Sequence, residues 1–223
     1  MKILRFEVGP FLENTYLLAC ERTGRGVVVD PGGENERVLE AAGREGIELL
    51  GIWNTHGHID HIWGAEELRR ERGLEFVLHA SDRFLVDSLA EQAAMFGLPE
   101  PQVPQIDRAW ETGIEVTLGE ESFRVVHTPG HSPGSVSFLG KGWALVGDVL
   151  FAGSVGRVDI PGGDGPTLLQ SIRRELLPLP AATRVYPGHG PATTMGAEGR
   201  TNPFLLTGAE ELLGLGAEAA GDR

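Results

Sequence analysis

Cysteine is nearly absent from this 223-residue chain: Cys20 stands alone, so no intramolecular disulfide can form and a reducing compartment fits. It closes the apolar stretch Tyr16-Leu17-Leu18-Ala19, where a buried thiol without chemistry is expected. Basic residues are scarce too. The 19 Lys and Arg face 32 Asp and Glu, for a net charge of -13, and no basic cluster is longer than Arg69-Arg70 or Arg173-Arg174. That argues against a phosphate-backbone footprint and against nucleic acid as a partner. The acid excess reads as a solubilising surface. No apolar run reaches the roughly 18 residues of a membrane helix, and Arg5, Glu7 and Pro10 interrupt the N-terminus before a signal-peptide core can form. A cytoplasmic location without a membrane partner is expected. There is no fixed-period repeat and no low-complexity tract.

At 41% hydrophobic and 23% charged, the chain has the composition of an ordinary globular protein with ample core. One domain over residues 1–223 is expected, with a frayed Gly/Ala-rich tail at 214–223. Short β-rich runs at Lys2 to Val8, Thr15 to Cys20 and Gly26 to Val29 predict a meander stopped by Asp30-Pro31-Gly32-Gly33. A helix from Asn35 to Glu45, a strand from Leu49 to Trp53 and a helix from Ile62 to Arg72 follow. Next come a strand near Phe76 to Leu78, a helix from Ser81 to Met95 and a proline-rich connector from Leu98 to Pro104. Beyond it, strands are expected near Glu115 to Leu118, Phe123 to Val126, Ser135 to Leu139, Ala144 to Val146 and Arg184 to Tyr186, with a helix from Pro166 to Leu177. Two β-rich halves with helices between them predict an α/β architecture of sheets covered by helices.

The chemistry concentrates in Thr55-His56-Gly57-His58-Ile59-Asp60-His61, directly after a predicted strand. Three imidazoles this close repel one another when protonated and waste buried polarity when neutral. A metal ion resolves both problems, because neutral imidazole and carboxylate are good ligands for zinc, iron or manganese. His131, Asp148 and His189 each follow an apolar strand in a glycine-marked loop: Thr128-Pro129-Gly130-His131, Val146-Gly147-Asp148 and Tyr186-Pro187-Gly188-His189. Loops at strand ends converge on one edge, so these three join the cluster as candidate ligands.

In this order and across most of the chain, these residues resemble the metallo-β-lactamase superfamily. Asn14-Thr15-Tyr16, Thr128 to Ser135, Gly147-Asp148-Val149-Leu150-Phe151 and Pro187-Gly188-His189-Gly190 are similar to glyoxalase II-like hydrolases, and Arg200-Thr201-Asn202-Pro203-Phe204 to their short bacterial members. The resemblance implies a four-layer αβ/βα sandwich and two divalent metal ions, zinc first, with iron or manganese as alternatives. It assigns one metal to His56, His58, His131 and a bridging Asp148, and the other to Asp60, His61, His189 and the same Asp148. Such a pair lowers the pKa of a shared water and polarises a carbonyl, which suits a thioester substrate such as one derived from glutathione. Asp60 and Asp148 are the expected catalytic carboxylates.

The resemblance also implies that Asp30 supports the metal loop by hydrogen bonds, with His127 at a spacing that could do the same. Arg157 matches the basic position that contacts glutathione in that family, yet Asp159 two residues on offers it an ion pair instead. His79 reads as structural, and of the four tryptophans only Trp63 lies near enough to line a substrate site. A rival resemblance runs through Gly156-Arg157-Val158-Asp159 to the persulfide dioxygenases, which hold one iron with the equivalents of His56, His131 and Asp148. A lactonase and a non-catalytic metal-binding domain are further alternatives, and no oligomeric state is implied.

Overall fold

The computed structural model describes residues 1–206, so the tail at 214–223 lies outside the described residues. The N-terminal strands pair as their spacing predicts: β1 (Lys2–Val8), β2 (Glu13–Ala19) and β3 (Arg25–Val29) form an antiparallel meander. Then α1 (Asn35–Glu45) crosses to β4 (Glu48–Trp53), and α2 (Ile59–Ile62) and α3 (Ala65–Arg72) cross to β5 (Glu75–Leu78), both strands parallel to β3. After α4 (Arg83–Asp87) and α5 (Leu89–Met95), β6 (Arg108–Ala109) completes a six-stranded sheet in the order β1 to β6.

The second half supplies β7 (Ile114–Leu118), β8 (Glu121–His127), β9 (Val136–Gly140) and β10 (Trp143–Gly147), then the small hairpin β11 (Leu150–Phe151) and β12 (Ser154–Val155). It continues through α6 (Gly165–Ser171), β13 (Arg184–Pro187), β14 (Thr193–Thr194) and α7 (Met195–Thr201). Its sheet is ordered β14-β13-β10-β9-β8-β7.

Alternation along the strands builds three apolar layers. Leu17, Val28, Ile52, Phe76 and Leu78 face Val38 of α1, Leu68 of α3 and Leu89 of α5. Their neighbours Tyr16, Leu18, Val27, Val29, Trp53 and Val77 point the other way, onto Phe123, Val125, Phe138 and Leu145 of the second sheet. On that sheet's far side, Val126, Leu139, Ala144 and Val146 pack against Leu168 of α6 and Ile172 and Leu176 beyond it. The result is the expected αβ/βα sandwich. Phe76 and Phe138 are fully buried, each worth roughly 1.5–3 kcal/mol of hydrophobic stabilisation. Among the described residues no helix is long and apolar enough to cross a membrane.

Two predicted helices are interrupted, and both breaks bear on the site. The one expected from Ile62 to Arg72 splits at Trp63-Gly64. Gly64 donates its N–H to the Pro31 carbonyl (2.8 Å) and accepts from Asn35 Nδ2 (2.9 Å), and a Cβ there would lie 2.7 Å from Asn35 Oδ1. The separated α2 carries Asp60 and His61 on a single turn. The one expected from Ser81 to Met95 opens with the 3-10 turn Ala80–Asp82 and breaks again at Ser88. The helix expected from Pro166 is capped by Asp164, which accepts from the Thr167 N–H (3.0 Å), and passes into a π turn over Ile172–Leu176.

Candidate metal centre

Seven predicted ligands leave four strand ends and meet. His56, His58, Asp60 and His61 follow β4, His131 follows β8, Asp148 follows β10 and His189 follows β13. Among the described residues three groups of three have ligand atoms within 4.8 Å of one another: His56 with His58 and His131, Asp60 with His61 and His189, and, behind the rings, Asp30 with His56 and His61; the two of predicted ligands come first. In the first, His58 Nδ1 and His131 Nε2 face each other at 2.9 Å. In the second, Asp60 Oδ2 lies 3.1 Å from His189 Nε2 and 3.8 Å from His61 Nε2. Asp148 stands between them, its Oδ1 3.4 Å from His61 Nε2 and its Oδ2 3.5 Å from both His131 Nε2 and His189 Nε2.

The rings are oriented from behind by acceptors, and that sets their tautomers. Asp30 is fully buried; it accepts from the Thr55 N–H (2.7 Å) and the Thr55 hydroxyl (2.6 Å) and lies 3.1 Å from His61 Nδ1. Since the single Thr55 hydroxyl proton goes to Asp30, His56 Nδ1, 3.0 Å from Thr55 Oγ1, is the donor of that pair. His131 Nδ1 donates to the Arg157 carbonyl at 2.8 Å. Each of these three rings therefore presents an Nε2 lone pair to the cluster.

Burial and charge work against each other here. Burial, then the neighbouring imidazoles, holds His56 far below the ordinary histidine range, and burial with His131 pulls His58 down to about 3. Burial would also lower His61, but the Asp148 and Asp60 charges outweigh it and raise the ring. Asp148 is the mirror case: burial pushes its carboxyl up, and His61 foremost brings it below the usual carboxylate range. His56 Nε2, His61 Nε2 and Asp148 Oδ1 are buried without a hydrogen-bond partner. Three orphaned polar atoms in one cluster are costly. Divalent cations fit them, because imidazole and carboxylate are their natural donors. Within the second triad the His189 side chain is 28% and that of Asp60 17% exposed, against 0% for His61.

The profile of the Metallo-beta-lactamase superfamily matches residues 8–189, from the end of β1 to the last candidate ligand. The chain belongs to this superfamily. It is 40% identical over 209 residues to the hydroxyacylglutathione hydrolase GloC of Haemophilus influenzae, covering 92% of this chain and 98% of that one. The fold is similar to that of the BLEG-1 B3 metallo-beta-lactamase, with a TM-score of 0.85 at 38% identity over 93% of this chain and 100% of that one. It is also similar to TTHA1623, solved in a di-iron-bound form, with a TM-score of 0.83 at 42% identity over 91% of this chain and 100% of the other.

Within this metallo-β-lactamase fold the remaining expected residues sort clearly. The Arg157 guanidinium pairs with Asp159 through two 2.8 Å hydrogen bonds on the surface, so the ion-pair alternative describes its side chain, while its carbonyl holds His131. His127 touches no ligand: its Nε2 donates to the Pro133 carbonyl (2.8 Å) and its ring stacks on His79 at 4.6 Å, so it braces the loop that carries His131. Trp63 packs against the apolar layer between the first sheet and its helices, and Trp53, Trp110 and Trp143 against the layer between the sheets. Phe151 is the aromatic beside the centre, edge-on to His189 at 6.2 Å.

Several buried polar residues near the centre escaped the sequence reading. Asn14 donates to the carbonyls of Pro187 (3.0 Å) and Gly190 (2.8 Å), on either side of His189, and the Tyr16 hydroxyl also bonds Pro187 (2.6 Å). These contacts give the Asn14-Thr15-Tyr16 motif its role. Asn54 donates to the His61 carbonyl (2.8 Å). Glu13 is buried 3.6 Å from His61 Nδ1, and burial raises its carboxyl well above the usual range. Asp82 contacts both histidine loops. Only the Asn14 motif left a sequence signal; the others are single polar residues without local pattern.

Proposed function

We propose that this chain is a two-metal hydrolase that cleaves a thioester of the S-lactoylglutathione type. The observation that carries the reading is the pair of triads with Asp148 between them, in which His56 Nε2, His61 Nε2 and Asp148 Oδ1 are buried without a hydrogen-bond partner. His56, His58, His131 and Asp148 would hold one cation, and Asp60, His61, His189 and Asp148 the other. Bound there, the two cations would lower the pKa of a shared water and polarise the scissile carbonyl. The 40% identity to a hydroxyacylglutathione hydrolase supports the substrate class, and the di-iron form of TTHA1623 makes iron a rival to zinc.

The chain's own residues do the positioning. Asp30 fixes His61 directly and His56 through Thr55, and the Arg157 carbonyl fixes His131, so these rings need no reorganisation when substrate arrives. Asp60, on the exposed side and 3.1 Å from His189, is placed to accept a hydrogen bond from the attacking water and orient it. A thiolate leaves with little need of protonation, so the chemistry requires no separate acid at sulfur.

The test is metal content of protein purified without added metal, alongside hydrolysis of S-lactoylglutathione, a lactone and a β-lactam. Two metals per chain with thioester cleavage preferred is the expected result. One iron without cleavage would overturn the proposal and direct attention to oxygen consumption with glutathione persulfide.

A further inference from the structure

We infer that Asp82, a carboxylate outside the ligand set, is the positioning residue of one half of the centre: it holds the His56–His58–His131 triad together and leaves the other triad to separate braces. This rests on the two-metal reading above. Asp82 is fully buried at the end of the 3-10 turn that follows β5. Its Oδ2 accepts from the Gly57 N–H (2.9 Å) and the Ser132 hydroxyl (2.7 Å), and its Oδ1 from the Gly134 N–H (2.6 Å). Gly57 lies between His56 and His58; Ser132 and Gly134 follow His131 directly. One carboxylate thus ties a loop of the first sheet to a loop of the second.

The fit leaves little slack. A Cβ on Gly134 would lie 2.6 Å from Asp82 Cγ, so that glycine admits the carboxylate because it lacks a side chain, and one on Gly57 would lie 3.1 Å from Asp82 Cβ, tighter than ordinary contact. His58 and His131 come from these two loops, and their facing nitrogens are 2.9 Å apart. A shift of either loop therefore changes that spacing directly. The second triad has other supports. Asn54 holds the His61 carbonyl (2.8 Å) and reaches the His56 carbonyl at 3.4 Å, and Asn14 holds the carbonyls of Pro187 and Gly190 on either side of His189. Asp30 touches both halves, through His61 and through Thr55 to His56, as does Asn54, and the Arg157 carbonyl holds His131 by itself, so Asp82 is the brace that joins the two loops of the first triad.

Zinc titration by calorimetry, with long-range proton–nitrogen spectra of the zinc-loaded protein, tests this. The chain has seven histidines, two of them the stacked pair His79 and His127, so coordination of each of the other five can be followed. Asp82→Asn should keep one zinc equivalent at wild-type affinity and lose about 10–100-fold at the other, the usual cost of removing a ligand's support. With one equivalent of zinc added, the coordination shifts should be absent from His56, His58 and His131 and present on His61 and His189. Asn14→Ala should show the converse. If Asp82→Asn does not fold, Ser132→Ala, which removes one of the three hydrogen bonds, should weaken the same equivalent alone. Equal weakening of both equivalents, or wild-type affinity at both, would overturn the inference. Wild-type protein that takes up fewer than two zinc ions would instead sink the two-metal reading beneath it.

Discussion

Gly188 precedes the last candidate ligand, and adding one methyl group there should disable the centre while sparing the fold. A Cβ on Gly188 would stand 2.1 Å from Asp148 Oδ1 and 2.7 Å from His61 Cε1, where ordinary contact begins at 3.4 Å. The backbone has little room to retreat, because the Gly188 carbonyl accepts from the Asn14 N–H (2.7 Å) and its N–H donates to the Gly147 carbonyl (2.8 Å). The yielding group is then the Asp148 carboxylate, which must give by more than an ångström and abandon its place between the triads. A misplacement of about 1 Å at a reacting centre costs on the order of 100-fold in rate. Overpacking at such a site costs about 1–3 kcal/mol of stability. The assay is metal content and S-lactoylglutathione turnover for Gly188→Ala, with Gly43→Ala as control. Gly43 lies in α1 with nothing within 4 Å of its added Cβ, and that change should stabilise the protein by about 0.5–1 kcal/mol. Two bound metals and turnover within twofold of wild type in Gly188→Ala would refute the argument that Asp148 is pinned between the triads.

Asp148→Ala should remove the shared ligand, lower the affinity for both metals and abolish nearly all turnover; wild-type metal content by elemental analysis would remove Asp148 from the centre. Arg157→Ala should leave KM for S-lactoylglutathione within about twofold and stability within about 1 kcal/mol, because the guanidinium is already engaged by Asp159 at the surface; a tenfold rise in KM would return Arg157 to the substrate site. Chelation should lower the melting temperature: metal at about 1,000 times its Kd contributes about 4 kcal/mol, and at about 2–4 °C per kcal/mol for a chain of this size the shift is on the order of 10 °C. In the metal-free protein, His58 titrates at about 3 when folded and near 6.5 when unfolded, so the unfolded chain binds the proton first. Wild-type stability relative to His58→Asn should therefore fall as pH drops from about 6.5 toward 3, and chemical denaturation across that range would show a flat difference if the ring were not held neutral by burial.

Local patterns carried most of the fold. The strand runs around Val27, Ile52, Phe76, Phe138 and Leu145 were visible because buried strands are continuous apolar segments, and α1 because its 3.6-residue period is intact. The breaks were not visible. Gly64 ends a helix through contacts with Pro31 and Asn35, some thirty residues earlier, which no window of sequence contains. Two-residue strands such as β6 and β14 exist only through their neighbours' hydrogen bonds and have no period of their own.

The centre divides along the same physical line. A cation needs three or four donors within about 2.0–2.2 Å of one point, and the cheapest way to supply several is to string them along one loop, so His56 to His61 announce themselves. A brace needs only one side chain within reach of a backbone amide or carbonyl, and nothing requires it to come from nearby sequence. Asp82 lies 50 residues from Ser132 and does not stand out in a single chain, and Asn14, 173 residues from Pro187, shows only through the resemblance of Asn14-Thr15-Tyr16. Yet the braces decide whether the donors arrive preorganised: an imidazole whose Nδ1 has no acceptor can rotate or change tautomer, and its Nε2 is then lost to the metal. If Asp82 serves one triad and Asn14 the other, as inferred above, substitutions that touch no ligand should change metal affinity at each triad separately.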